Sequence, residues 1–212
     1  MATLTDLGFC QNTIYETIIC TFNPDGSPNV APMGAIVKGN QKVLLTIYNS
    51  SRTLENLRAT KAATLNLTDD VDVYYVSALK KSEVSTDWFR NSSVVNAPKL
   101  KVCDASVALS VDSVEPIDML RTAVMCSIEC INVFKMYPRA YCRAWSAVLE
   151  AIIYATRVKV LSGVEAERVH VIELCRLIQN CVDVVNRSAP DSHYVDLMLD
   201  LQEKVGFWSV NI

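Results

Sequence analysis

The segment Lys42 to Leu57, KVLLTIYNSSRTLENL, constrains the fold most, because it changes secondary-structure type within a few residues. Lys42 to Tyr48 is rich in β-branched and aromatic side chains and predicts a strand. Thr53 to Thr60, with Leu54 and Leu57 three apart, predicts a short helix. Between them, Asn49-Ser50-Ser51-Arg52-Thr53 delivers three hydroxyls and one guanidinium to a helix N-terminus. Unpaired N–H groups and the positive dipole end favour an anion there, and arginine adds a planar fork that matches phosphate oxygens. The same residues also suit a capped helix with a solvated arginine. The loop alone leaves both readings open.

A second segment, Asn23 to Ala35 (NPDGSPNVAPMGA), reads as a turn followed by a strand. Asn23-Pro24-Asp25-Gly26 is a tight-turn signal. Pro32 and Gly34 sit where a buried strand avoids both, so this strand is an edge, a bulge, or a backbone against which a flat ligand lies.

Val30-Ala31-Pro32-Met33-Gly34, the hairpin into Lys42 to Tyr48, and Ser50-Ser51-Arg52-Thr53-Leu54-Glu55-Asn56-Leu57 resemble the flavin reductase-like FMN-binding split barrel, a superfamily that includes pyridoxamine-phosphate oxidases. The whole chain is similar to a mostly archaeal family of uncharacterised FMN-binding split-barrel proteins with an extra C-terminal helical region. The resemblance spans residues 13–134 and, more weakly, the helices beyond. It implies an α+β fold, an antiparallel split β-barrel over residues 1–136, with a helical hairpin and a C-terminal helix over 137–212 packed on the barrel.

The resemblance also implies FMN as cofactor. Ser50, Ser51, Arg52 and Thr53 would hold its phosphate; Val30, Ala31, Pro32, Met33, Gly34 and Ala35 would face the ring, with Met33 and Gly34 offering backbone N–H groups to it. Tyr48 and Asn66 complete the implied cofactor contacts. One departure stands out: many flavin reductases carry Lys-Asp-Thr where this chain has Ser51-Arg52-Thr53, which moves the basic group one residue along.

Composition restricts the partners. The chain has 212 residues, half of them hydrophobic, and a net charge of −3, with no cluster of lysine and arginine among aromatics, which excludes sequence-independent nucleic-acid binding. Met1 to Cys10 lacks a basic, long-apolar leader pattern, and even Ala144 to Val160 is interrupted by Glu150, Arg157 and Lys159. A cytoplasmic protein without membrane association is expected. The eight cysteines form no Cys-x-x-Cys pair and read as small buried hydrophobes, and two histidines give little basis for a metal site. Cys126 and Cys130 are expected on one face of a strand.

The remaining pattern is regular. Strands are expected at Tyr15 to Phe22, Asn29 to Val37, Ala62 to Leu67, Val102 to Val114 and Thr122 to Phe134. Asp69 to Asp72 reads as a charged turn and helix start. Lys80 to Lys99 reads as a long polar loop whose Trp88 and Phe89 either anchor it to the core or close over a ligand. In the tail, Tyr141, Trp145, Val148, Ile152 and Ala155 form one helical stripe, and Val171, Leu174, Ile178, Cys181 and Val185 another, meeting at Ser162-Gly163. A third helix follows Pro190, with Tyr194, Leu197, Met198 and Leu201 on one side and Gly206 as its stop.

No Ser/His/Asp set or paired carboxylates can be assembled; His170 reads as a solvated or satisfied histidine on a helix, and His193, near Asp191, lies at the start of the helix after Pro190. Three functional classes follow. The first is a homodimeric FMN oxidoreductase, its flavin at the dimer interface, visited by a transient nicotinamide donor since no dinucleotide fingerprint is present. The second is a non-catalytic FMN-binding module, and the third a split barrel for another phosphorylated ligand such as a deazaflavin.

Overall fold

Alternating burial shapes the first half of the chain. Lys42–Tyr48 (β3) buries Val43, Leu45 and Ile47 and leaves the residues between them more open, as a half-buried strand does. A computed structural model describes residues 2–136 and 140–209 and divides the chain into two units, Met1–Gln11 with Tyr15–Tyr141, and Asn12–Ile14 with Cys142–Ile212.

In the first unit, Ile14–Phe22 (β1), Pro28–Lys38 (β2), β3, Ala62–Leu67 (β4), Ala105–Pro116 (β7) and Arg121–Val133 (β8) close into an antiparallel barrel in the order β1-β2-β3-β8-β7-β4. The β1–β2 turn is the expected one: Gly26 donates its N–H to the Asn23 carbonyl at 2.9 Å and holds a φ of +80°, which glycine adopts without strain.

Two helices, Arg52–Thr60 (α1) and Val71–Leu79 (α2), join the barrel strands. Asp70 caps α2 by accepting the Asp72 N–H at 2.9 Å, the helix start expected from the acidic run. The 80–99 segment is more structured than a loop. It contains a small hairpin of Phe89–Asn91 (β5) and Pro98–Leu100 (β6). Phe89 and Leu100 are buried with Ile18, Cys20 and Val30, and Trp88 packs on that cluster, so the aromatics anchor the segment. The hairpin covers the outside of β4, which explains why all six β4 residues are buried: Thr64 donates to the Pro98 carbonyl at 2.7 Å, and the Leu100 N–H donates to Asn66 at 3.2 Å.

The expected pairing of Cys126 and Cys130 on one face fails. Ala108 pairs with Cys130 and Leu109 with Ile128, so Glu129 is an extra residue in the ladder. That bulge shifts the alternation: Cys126 lies opposite Val111, and Cys130 opposite Ala108 on the other face. Burial pushes the Cys126 thiol up to about 12, and Cys20 higher still, whereas Cys10 is exposed. A thiol reagent at pH 8 is therefore expected to modify Cys10 in the native protein and Cys20 and Cys126 only after unfolding. Peptide mapping by mass spectrometry checks this, and rapid native labelling of Cys20 would contradict the packing.

The second unit holds Arg143–Leu161 (α3), Arg168–Ser188 (α4) and His193–Ser209 (α5). The α4 stripe is as expected at Val171, Leu174, Ile178 and Val185, which are buried, while Cys181 is half-buried and Val182 beside it is buried. The α3 stripe is rotated: Ala144, Ala147, Val148, Ala151, Ala155 and Val158 are buried, while Trp145 and Ile152 are exposed. Alanines let helix axes approach closely, so packing selected the small face of α3 over the large one. Gly206 does not end α5, which continues to Ser209; glycine inside a helix costs only about 1 kcal/mol when the flanking turns pack. Among the described residues no helix is long and apolar enough to cross a membrane.

Candidate functional site

The two segments singled out in the sequence meet at the barrel end where β3 stops and β4 begins. Short-range polarity explains how. Thr21 near the end of β1 and Asn29 near the start of β2 are buried, and both bond to α1. The Asn29 amide donates to Thr21 Oγ1 and to Thr53 Oγ1, each at 3.1 Å. The Asn56 amide donates to Thr21 Oγ1 and to Asn23 Oδ1, each at 3.0 Å. Leu54 and Leu57, both fully buried, supply the apolar side of the same docking. A buried polar network satisfied in this way locks one arrangement, because any shift leaves desolvated groups unpaired.

The other end of the loop is fixed as firmly. The Asn49 side chain donates to the Met119 carbonyl at 3.0 Å and accepts from Thr122 Oγ1 at 2.6 Å, while the Asn49 N–H donates to the Leu120 carbonyl at 2.8 Å. Residues 49–53 are thus strung between the β7–β8 hairpin and a docked helix. Hydrogen bonds from Arg121 and from the Leu120 N–H hold the Asp118 carboxyl below its usual range, which stiffens the hairpin tip.

Within this frame Ser51 is the α1 cap, accepting the Leu54 N–H at 3.2 Å. The N–H groups of Arg52 and Thr53 and the hydroxyl of Ser50 have no protein partner among the described residues. Arg52 forms an exposed ion pair with Glu55 at 2.6 Å. The capped-helix reading therefore accounts for Ser51 but leaves two first-turn N–H donors and the Ser50 hydroxyl without a partner among the described residues, next in sequence to the exposed Arg52. That donor set is suited to a phosphate group.

The β2–β3 ladder runs only from Lys38↔Lys42 to Ala35↔Leu45. Beyond it the strands part, leaving the 28–34 stretch of β2 without a β3 partner while β3 continues to pair with β8 through Tyr48. Pro32 and Gly34 lie along this opening and are half-buried; Val30, Met33 and Ala35 are buried, and the Met33 carbonyl accepts from Thr17 Oγ1 at 2.8 Å. Thr53 is buried in the network, so its hydroxyl serves docking, leaving its backbone N–H as the outward donor. Tyr48 ends β3 with its side chain exposed.

Asn66 stands apart from this group. It is fully buried, its amide donating to the Ile18 carbonyl at 3.1 Å, Cys20 Sγ at 3.3 Å and Thr64 Oγ1 at 3.0 Å, and its carbonyl oxygen accepting from Leu100. Its hydrogen bonds fasten the β5–β6 hairpin to the barrel. Thr21, Asn29, Asn49 and Asn56 are the positioning residues that pattern reading passed over. Thr21, Asn29 and Asn56 are polar residues of strands or a helix that become buried, and Asn49 is an exposed turn residue, so none carries a local signal of its role.

A family model described as "Protein of unknown function (DUF447) N-terminal domain" matches residues 15–134. Among solved structures, the chain is similar to the FMN-bound protein MM1853 from Methanosarcina mazei, at 23% identity and a TM-score of 0.52, over 95% of this chain and 99% of that one. It is also similar to the styrene monooxygenase flavin reductase from Pseudomonas putida S12, at 12% identity and a TM-score of 0.51, over 65% and 87% of the two chains. A putative flavin reductase from Haemophilus somnus 129PT matches at 13% identity and a TM-score of 0.50, over 59% and 84%. These likenesses establish the barrel architecture.

Proposed function

For this chain, which belongs to the DUF447 N-terminal-domain family, we propose an FMN-binding flavoprotein that acts as an oxidoreductase. The observation that carries the reading is the juxtaposition of a donor-rich α1 N-terminus with the parting of β2 and β3. One place accepts a phosphate and the other leaves strand backbone open for a flat ring. The FMN-bound Methanosarcina protein and the flavin reductases that share the fold support it.

Ser50, Arg52 and the first-turn N–H groups of α1 would bind the FMN phosphate. The 30–35 segment of β2 would orient the ring, the methyl of Ala31 and the absence of a side chain at Gly34 permitting close approach. Bound FMN supplies hydride and single-electron chemistry; the protein contributes binding, orientation and exclusion of water. A nicotinamide donor would visit, and a second copy of the chain would complete the cover over the ring.

Two substitutions test the phosphate role with opposite signs. Arg52→Ala removes the fork and is expected to weaken FMN about 10- to 100-fold, the loss typical of a charge-assisted pair. Glu55→Gln frees Arg52 from its ion pair and removes a negative charge from the phosphate end, so FMN should bind a few-fold tighter. Fluorescence titration of the apoprotein reads both. Equal affinity of Arg52→Ala and parent would place the phosphate elsewhere. The whole reading is tested by the visible spectrum of freshly purified protein and by identifying the small molecule released on denaturation. FMN near one per chain supports it, and a colourless protein that takes up no added FMN refutes it. Steady oxidation of a nicotinamide by the yellow protein under air separates an oxidoreductase from a flavin-holding module.

A further inference from the structure

The β5–β6 hairpin places Arg90 directly opposite Lys99 in its ladder. Like charges at directly opposed positions destabilise a strand pair. Among the described residues neither has a carboxylate within ion-pair distance. The acids of this face, Asp104 and Asp69, are taken by Lys135 at 3.2 and 3.5 Å. Both cations instead gather over one ring: the Arg90 guanidinium carbon lies 4.8 Å and the Lys99 ammonium 5.6 Å from the centroid of Phe134, which is 46% exposed. An aromatic face at an exposed position compensates a cation only weakly.

Long side chains on a loose hairpin would separate to relieve the repulsion, but this hairpin is not loose. Phe89 and Leu100, which pair beside Arg90 and Lys99, are buried in the cluster with Ile18, Cys20 and Val30, and the backbone of Leu100 is tied to Asn66. Two positive charges are therefore held together at a fixed spot on a chain whose net charge is −3.

We propose that Arg90, Lys99 and Phe134 form an anion site that takes the phosphate group of a small phosphorylated molecule. The pair of cations matches the charge of about −2 that a phosphomonoester carries near pH 7, and a planar fork beside a compact ammonium suits its tetrahedral oxygens. Among the described residues the β5–β6 hairpin, which supplies both cations, forms no hydrogen bond or ion pair with the 49–53 loop, so the site does not depend on the flavin assignment.

The experiment is calorimetric titration of the full-length protein at low ionic strength with two probes, inorganic phosphate and adenosine monophosphate. It is run on the parent, on Arg90→Gln/Lys99→Gln and on Arg52→Ala. Arg52→Ala is expected to lose only phosphate binding at the α1 loop and to keep the hairpin site, and the double variant to bind at the hairpin site at least tenfold more weakly than the parent. Tighter binding of the nucleotide identifies an organic phosphate as the ligand, and equal binding identifies the free ion. Thermal melting gives a second readout. Without ligand the double variant should melt no lower than the parent, because a repulsion is removed, and added phosphate should raise the melting temperature of the parent and of Arg52→Ala more than that of the double variant. Unchanged affinity in the double variant, absence of saturable binding in the parent, or binding lost in Arg52→Ala and kept in the double variant each overturns the proposal. The last outcome would assign the phosphate to the α1 loop.

Discussion

Truncation of Leu57 to alanine is expected to destabilise the barrel unit by about 3 kcal/mol, within the range for buried leucines. α1 has nine residues, too few to persist without tertiary packing. Its buried surface is Leu54 and Leu57 plus the polar side chains of Thr53 and Asn56. Removing one leucine leaves a cavity beside hydrogen bonds that need the helix in register, so the loss of packing and the loosening of the Asn29–Thr53 bond act together. Urea denaturation followed by circular dichroism measures the change. Under the proposed flavin reading, the flavin content of the purified variant falls with stability, since the first-turn N–H groups of α1 keep their place only while the helix is docked. A loss under about 1 kcal/mol would mean that the site collapses around the gap and that α1 is held chiefly by its polar network.

The second large effect is expected at Asn66. Asn66→Leu keeps the bulk but leaves the Leu100 N–H and the Ile18 carbonyl without a side-chain partner in a fully buried place. Each orphaned group costs about 1–3 kcal/mol, so a total near 3 kcal/mol is predicted, with the β5–β6 hairpin losing its attachment first. Amide hydrogen exchange at Leu100 should accelerate more than at barrel positions such as Leu45. Asn66→Asp adds a pH test. Burial raises the folded-state pKa of the new carboxyl above its unfolded value of about 3.9. Stability is then fully present below that value and is lost as pH rises through the folded-state pKa. The variant should therefore be less stable at pH 7 than at pH 4 relative to the parent, and a flat difference across that range would show that water reaches the site.

Both residues show where sequence pattern carries information and where it does not. Leu57 is visible as half of a leucine pair in a helical frame, and burial follows from that pattern. Asn66 sits within AATLNL, whose period-two alternation reads as a strand with one polar face. That face is covered by a hairpin from a stretch that looks like a polar loop, so the inward polarity of Thr64 and Asn66 becomes a set of buried hydrogen bonds. Likewise, Thr21, Asn29 and Asn56 look like solvated positions until three separate elements bring their amides and hydroxyls together. Nothing local marks them, because the partners are up to 35 residues apart.

Local chemistry alone determined the turn at Asn23 to Gly26, the course of β3 and β4, the cap at Ser51 and the two long tail helices. Each depends on side chains and backbone angles within a few residues. Tertiary structure decided which face of α3 is buried, where the bulge at Glu129 turns Cys130 from the face of Cys126, and that Trp88 and Phe89 are anchors. It also decided that the phosphate-suited loop and the stretch of β2 without a β3 partner share one end of a barrel. Those outcomes depend on the closeness with which two surfaces fit and on whether every buried polar group finds a partner. Such conditions are met only between segments distant in the chain, where the period of a single element carries no record of what will cover it.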